Sequence, residues 1–275
     1  MLEPRFRRLR RKADRPARPD RGIPLRAVIP NTVTALALCS GLTAIRFAIL
    51  GNWEAAVLMV LAAAVLDGID GHIARLVRAE SRFGAELDSL SDAISFGVAP
   101  ALILYLWSLQ SLGRFGWLVA LIHALFCALR LARFNANIDR EQQPHKSAGF
   151  LTGVPAPAGA GLALAPLYLW VWIEEPVLRS PPLVACWSVL VAVLMVSSIA
   201  TFAPKVRLRR NIRFEAVAVL VVLVAALVSA PWPTLAVLAI LYVGSIPFSV
   251  RSYRRVTQQR AATALAASAP EPPAP

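Results

Sequence analysis

The stretch "LDGIDGHIARLVRAESRFGAELDSLSDAISFG", Leu66 to Gly97, puts four aspartates into a chain that is otherwise mostly apolar. Asp67, Asp70, Gly71, Ala74 and Arg75 follow the i, i+3, i+4, i+7, i+8 spacing that shares one helical face. Gly84, Asp88 and Asp92, at i, i+4, i+8, make a second face if the chain is helical there too. The polar "LVRAESRF" between them can turn the chain, so that the two faces meet and four carboxylates converge. Carboxylates held together repel unless cations neutralise them. Hard divalent ions are the natural partners, Mg²⁺ or Mn²⁺, and two of them can hold the attacking and leaving oxygens of a phosphoryl displacement. No cluster of Cys or His competes in the sequence, which argues against zinc. Gly71, Ala74 and Gly84 put small surfaces on the same faces, where a bulky ligand can approach the backbone. Glu80 and Glu86 fall outside both spacings and are expected to be solvated.

The elements that must position these faces are membrane helices. The 275 residues are 57% hydrophobic and 16% charged, the composition of an integral membrane protein. Apolar segments near 20 residues suffice to cross a hydrocarbon core of about 30 Å. About eight occur, near 28–50, 53–74, 93–110, 115–134, 153–173, 182–203, 214–230 and 232–250. The expected fold is an all-α polytopic helical bundle, with a basic disordered tail at 1–27, a membrane domain at 28–250 and a second tail, basic and then Ala/Pro-rich, at 251–275.

A net charge of +13 would suggest nucleic acid in a soluble protein, but its distribution assigns it to the membrane. Of the 29 Lys and Arg, 26 fall on alternate loops and the tails, against Arg46, Arg114 and Arg179 on the other side. By the positive-inside rule both termini and the aspartates face the cytoplasm, in a bacterial inner membrane, with lipid and no nucleic acid as partner. Ionisable groups inside a membrane segment mark a functional site, whereas Arg75, Arg78 and Arg82 by themselves need be no more than topology signals. Cys39, Cys127 and Cys186 sit in different spans and read as small packing residues.

The aspartate stretch resembles the signature of the CDP-alcohol phosphatidyltransferases: DxxDGxxAR, eight residues, then GxxxDxxxD. Asp67, Asp70, Gly71, Ala74, Arg75, Gly84, Asp88 and Asp92 match every fixed position. "IPNTVTALALCSGLTAI", "SDAISFGVAPALI", "LRLARFN" and "GFLTGVPAPAGAGL" are similar to the membrane-embedded bacterial phosphatidylserine synthases, over about residues 28 to 165. The resemblance implies transfer of the phosphatidyl group from CDP-diacylglycerol to L-serine with release of CMP, by a homodimer using two divalent ions. It implies that Asp67, Asp70, Asp88 and Asp92 hold the metal and that Asp92 is also the general base. Gly71, Ala74 and Gly84 then line the nucleotide site, and Arg75 either meets the diphosphate or supports an aspartate.

Serine carries a carboxylate, which calls for a cation in the pocket. Arg130 and Arg133, one turn apart in "LRLARFN", and Asn135 after them are the candidates for acceptor binding; the arginines serve equally as interface anchors. Asn31, after Pro30, is expected to cap the first helix, with nucleotide contact as the other reading. Gly149, Gly153, Pro155 and Pro157 shape the entry to the fifth span. His72, His123 and His145 lack a Ser or Cys partner, so direct displacement is favoured over a covalent histidine intermediate. The basic run "KVRLRRNIR", Lys205 to Arg213, serves topology or a phosphate-bearing acceptor. Two other functions remain at this point: the same reaction with choline, inositol phosphate or glycerol phosphate as acceptor, and a carrier or channel with an acidic cation site.

Overall fold

An apolar run in hydrocarbon satisfies its backbone polar groups only within a helix or a closed barrel, and these runs form helices. The computed structural model describes residues 25–77, 81–136, 150–197, 200–202 and 213–267. Helix α1, Leu25–Ile49, and helix α2, Trp53–Val77, are joined by a tight turn in which Gly51 takes φ 73°. Asn52 starts α2 by accepting a hydrogen bond from Ala55 N at 3.1 Å. Ala44, Ala48, Ala56 and Ala63 are essentially inaccessible, so the two helices pack closely along small side chains.

Helix α3, Arg82–Asp92, continues without a break through a π-helical turn, Ala93–Val98, into α4, Ala99–Trp107. The aspartate helix is therefore the first part of the third span, which runs Phe83–Trp107 and not from residue 93. Helix α5 is Arg114–Ala136, and α6, Ala156–Ala163, meets α7, Ala165–Ile173, at a 42° bend. Helices α8, Pro181–Val196, α9, Arg213–Ser229, and α10, Pro231–Ala267, complete the chain.

Among the described residues, five helices are long and apolar enough to cross a membrane, or six with the bent pair. The other two of the eight expected segments are the shorter apolar helices Pro181–Val196 and Val217–Ser229. Sixteen residues rise only about 24 Å, less than the hydrocarbon thickness, which is why α8 falls short of a full span.

Three further features depart from the expectations. A short antiparallel ladder pairs β1, Phe150–Thr152, with β2, Ala200–Phe202, where the segments flanking α6 and α8 meet. Gly153 follows β1 at φ 73°, and a Cβ there would lie 2.5 Å from the Met195 carbonyl. Helix α10 runs past Ser249 to Ala267, through much of the stretch read as a tail. Of the cysteines, Cys127 alone is a packing residue, set against Gly97; Cys39 and Cys186 are exposed, and all three are free. The N-terminal tail before Leu25, Gly149, His145 and all of "KVRLRRNIR" but Arg213 lie outside the described residues.

Candidate active site

On α2, Asp70 is 4% exposed and its Oδ2 is buried without a hydrogen bond. Thr34 of α1 stands beside this carboxylate, although its hydroxyl donates to the Pro30 carbonyl at 3.1 Å. Asp67 lies one turn earlier on the same helix and is half-buried. Across from them, Ser81 caps α3 by accepting from Gly84 N at 3.0 Å, which starts the helix where Asp88 and Asp92 share its inner face. Asp67, Asp70 and Asp88 each bring a carboxylate oxygen within 4.8 Å of the others. Asp92, one turn deeper, lies against Asp67 within hydrogen-bonding reach.

Span 1 is clamped onto this hairpin. Ser91 Oγ donates to Thr34 O and Ser95 Oγ to Ala37 O, both at 3.3 Å. Gly41 lets the backbones touch, since a Cβ there would fall 2.8 Å from Ser95 Cα. The clamp brings Asn31 and Thr34 to a cavity of about 140 Å³ shared with Asp70, Gly71, Ala74, Ser81, Gly84 and Asp88. Gly84 is needed for that space, because a Cβ on it would meet Asn31 Oδ1 at 2.9 Å and Ser81 Oγ at 3.1 Å. Nothing lies within 4 Å of a Cβ built on Gly71, whose open side a ligand can use.

The sequence reading is corrected at Asn31. Helix α1 begins at Leu25, so Asn31 is inside it and caps nothing; its Nδ2 is buried and unpaired at the cavity. Proline at a first helical position argued for a cap, but Pro30 is held within the helix. Thr34 and Ser81 line the cavity and were not singled out. Thr34 is three residues from Asn31, so the shared polar face was present in the spacing.

The arginines separate. Arg75 is exposed and donates its Nε to the Gly71 carbonyl at 2.8 Å, the backbone of its own preceding turn. Arg130 is half-buried, faces Asp92 and Asp67, and keeps its Nε without a hydrogen bond. Arg133 is exposed and donates Nη1 to Val196 O at 3.2 Å, away from the aspartates. Asn135 donates Nδ2 to Ser89 Oγ at 2.8 Å, tying the end of α5 to α3. His72 is exposed and His123 is deep in the bundle.

Carboxylate oxygens from two helices, one of them buried and unpaired, make a donor set that suits a hard divalent cation. Together with a small-residue cavity beside it and a helical membrane fold, this is the arrangement that a membrane-embedded phosphotransferase requires. The family comparison agrees: the CDP-alcohol phosphatidyltransferase model matches residues 27–203, and the chain belongs to that family. A second model, CDP-alcohol phosphatidyltransferase 2, matches residues 211–247.

Among individual relatives, the chain is 40% identical over 239 residues to the CDP-diacylglycerol–serine O-phosphatidyltransferase of Mycobacterium bovis, covering 86% of this chain and 83% of that one. It is 38% identical to the Mycobacterium leprae protein of the same name, over 82% and 76% of the two chains. The Helicobacter pylori protein of that name is 44% identical over 39% of this chain and 46% of its own.

Proposed function

We propose that this protein transfers the phosphatidyl group from CDP-diacylglycerol to L-serine, giving phosphatidylserine and CMP. The observation that carries the reading is the approach of Asp67, Asp70 and Asp88 to within 4.8 Å, with Asp92 beside them, in a chain 40% identical to a relative bearing that activity's name.

The serine hydroxyl is a poor nucleophile, so a placed carboxylate must take its proton as oxygen attacks the phosphatidyl phosphorus. Asp92 has that role: it lies one helical turn beyond Asp88, within reach of Asp67, and Arg130 faces it. The new P–O bond to serine forms as the P–O bond to the CMP phosphate breaks. Asp67, Asp70, Asp88 and Asp92 would hold divalent cations, two of Mg²⁺ or Mn²⁺, whose charge would offset that of the diphosphate and of the departing CMP phosphate. Gly71, Ala74 and Gly84 leave the nucleotide its room, and Asn31 offers an unpaired amide N–H to it. Arg130 supplies the charge opposite the serine carboxylate. Arg133 and Asn135 shape that side of the pocket through Val196 and Ser89.

The spread of Lys and Arg over alternate loops supports a site and two termini on the cytoplasmic face of the inner membrane, where a diacyl substrate and a water-soluble one can meet. A homodimer follows from the family resemblance, and cross-linking in membranes tests it. The acceptor is tested by supplying purified protein with CDP-diacylglycerol and serine, glycerol phosphate, inositol phosphate or choline in turn. Phosphatidylserine with equimolar CMP is expected. A lipid product from another alcohol and none from serine overturns the assignment, and no CMP from any of them leaves the carrier reading in its place.

A further inference from the structure

His123 has no part in the chemistry above, yet it is fully buried in the middle of α5. Neither ring nitrogen has a hydrogen-bond partner among the described residues. Cys127, one turn further along the same face of α5, and the Ala124 carbonyl lie against Gly97, which sets His123 beside the π-helical turn of the third span; the backbones of Phe96 in that turn and of Ser188 in α8 are within its reach. A buried polar ring left so loosely satisfied is costly, and Leu or Phe would fill the same space without that cost.

The reason for a donor at this place lies in the covalent chemistry of the third span. Pro100 has no N–H, so the carbonyl four residues before it, that of Phe96, loses its α-helical donor, and the proline ring crowds that carbonyl as well. The chain responds by widening to a π-helical turn over Ala93–Val98, in which Ala99 N donates to Ile94 O. The widening begins at the residue after Asp92. An extra residue in a turn rotates everything on one side of it by about 100° relative to the other. The turn therefore sets how the Asp88 and Asp92 face is aimed while Ala99 to Trp107 stays locked in the core.

The geometry points to His123 as a positioning residue: it offers the Phe96 carbonyl the donor that Pro100 withholds, pins the π-helical turn in place, and so aims Asp88 and Asp92 at Asp67 and Asp70. The inference rests on the proposed metal-holding role of those aspartates. His123 touches neither substrate nor metal.

The test uses the full chain purified in detergent. It compares His123→Leu, which keeps bulk and removes the donor, with His123→Asn, which keeps an N–H near the same place. Pro100→Ala and Pro100→Ala/His123→Leu complete the set. Two quantities are read: Mn²⁺ affinity by EPR without substrate, and kcat with the KM for CDP-diacylglycerol. His123→Leu should lower kcat on the order of 10- to 100-fold and weaken Mn²⁺ binding while the KM for CDP-diacylglycerol stays put, since misplacement by about 1 Å has that size of effect. His123→Asn should recover most of both. In the Pro100→Ala background, where residue 100 regains its N–H, the loss of His123 should cost several-fold less.

Wild-type kcat and Mn²⁺ affinity in His123→Leu would overturn the proposal, as would costs that simply multiply in the double variant. Should His123→Leu not assemble, the double variant must assemble; if it does not, the proposal is wrong. Asp92→Asn run alongside keeps the two readings apart. Wild type that binds Mn²⁺ but makes no phosphatidylserine refutes the acceptor assignment and leaves the His123 comparison readable by EPR.

Discussion

The two ends of the helical hairpin formed by the second and third spans are built to opposite specifications. At the far end, polar groups are used up within the protein. Ser108 Oγ donates to Arg179 O at 2.8 Å, Arg179 Nε donates to Trp107 O at 3.2 Å, and the guanidinium lies over the rings of Trp107 and Trp170. Those two rings meet edge to face at 5.8 Å, and Trp107 Nε1 is the exception that stays unpaired. At the aspartate end, Asp70 Oδ2, Asn31 Nδ2 and Arg130 Nε are all buried and all lack hydrogen bonds. Buried polar groups are nearly always satisfied in a finished structure, so a cluster that is not marks a place completed by a ligand. Cavity size alone would have misled: the hollow of about 660 Å³ beside Glu54, Trp170 and Glu174 is at the far end, and both of its glutamates are exposed.

The largest effect should come from Asp92→Asn, which removes the proposed base and cation ligand while keeping the side chain's shape. A loss of kcat on the order of 10³-fold or more is expected, since general bases alone contribute about 10² to 10⁴. CMP release from CDP-diacylglycerol measures it, and thermal stability in detergent should be unchanged or higher because a buried charge has gone. Full activity in this variant would remove Asp92 from the mechanism. Next in size is Gly84→Val, whose side chain must displace Asn31 or Ser81 from the cavity. A drop of about 10- to 100-fold in kcat/KM for CDP-diacylglycerol is expected, in the range that misplacement at a site produces. Equal kinetics would show that the nucleotide does not use the space beside Gly84.

How far this contrast could be read from sequence differed by element. The four aspartates were legible because helical spacing is rigid: once both segments are helices, i, i+4 and i+8 fix a face. The bundle was legible too, since long apolar runs have few alternatives in lipid. Asn31 was not, because Pro24 and Pro30 are both suited to a helix start and spacing alone does not choose between them. The π-helical turn was hidden for a similar reason: Pro100 announces a defect, but only packing against α5 and α6 decides what form it takes. The split among the arginines was beyond spacing altogether. Arg130 and Arg133 are one turn apart, yet one faces the aspartates and the other the Val196 carbonyl.

Smaller effects probe the far end. Arg179→Ala should cost about 1 kcal/mol of stability, from one hydrogen bond and a partly solvated cation–π contact. Thermal unfolding in detergent reads this, and kcat of the folded fraction should match wild type. Lost activity at full stability would mean that the two ends are coupled through the third span, and the contrast between a satisfied end and an open one would then not separate structure from chemistry.

The smallest effect is expected at Arg133, and it is the most discriminating for the acceptor. Its Nη1 is engaged with Val196 O and its side chain is exposed, so Arg133→Ala should change the KM for serine by less than about threefold. Arg130→Gln should instead raise that KM by about tenfold or more, because a buried charge opposite a carboxylate is hard to replace. The two substitutions remove the same charge one helical turn apart, so bulk electrostatics at the membrane surface would affect them alike. A larger rise at Arg133 than at Arg130 would put the serine carboxylate on the Val196 side of α5, and Arg130 would then be left as a counter-charge to Asp92 and Asp67.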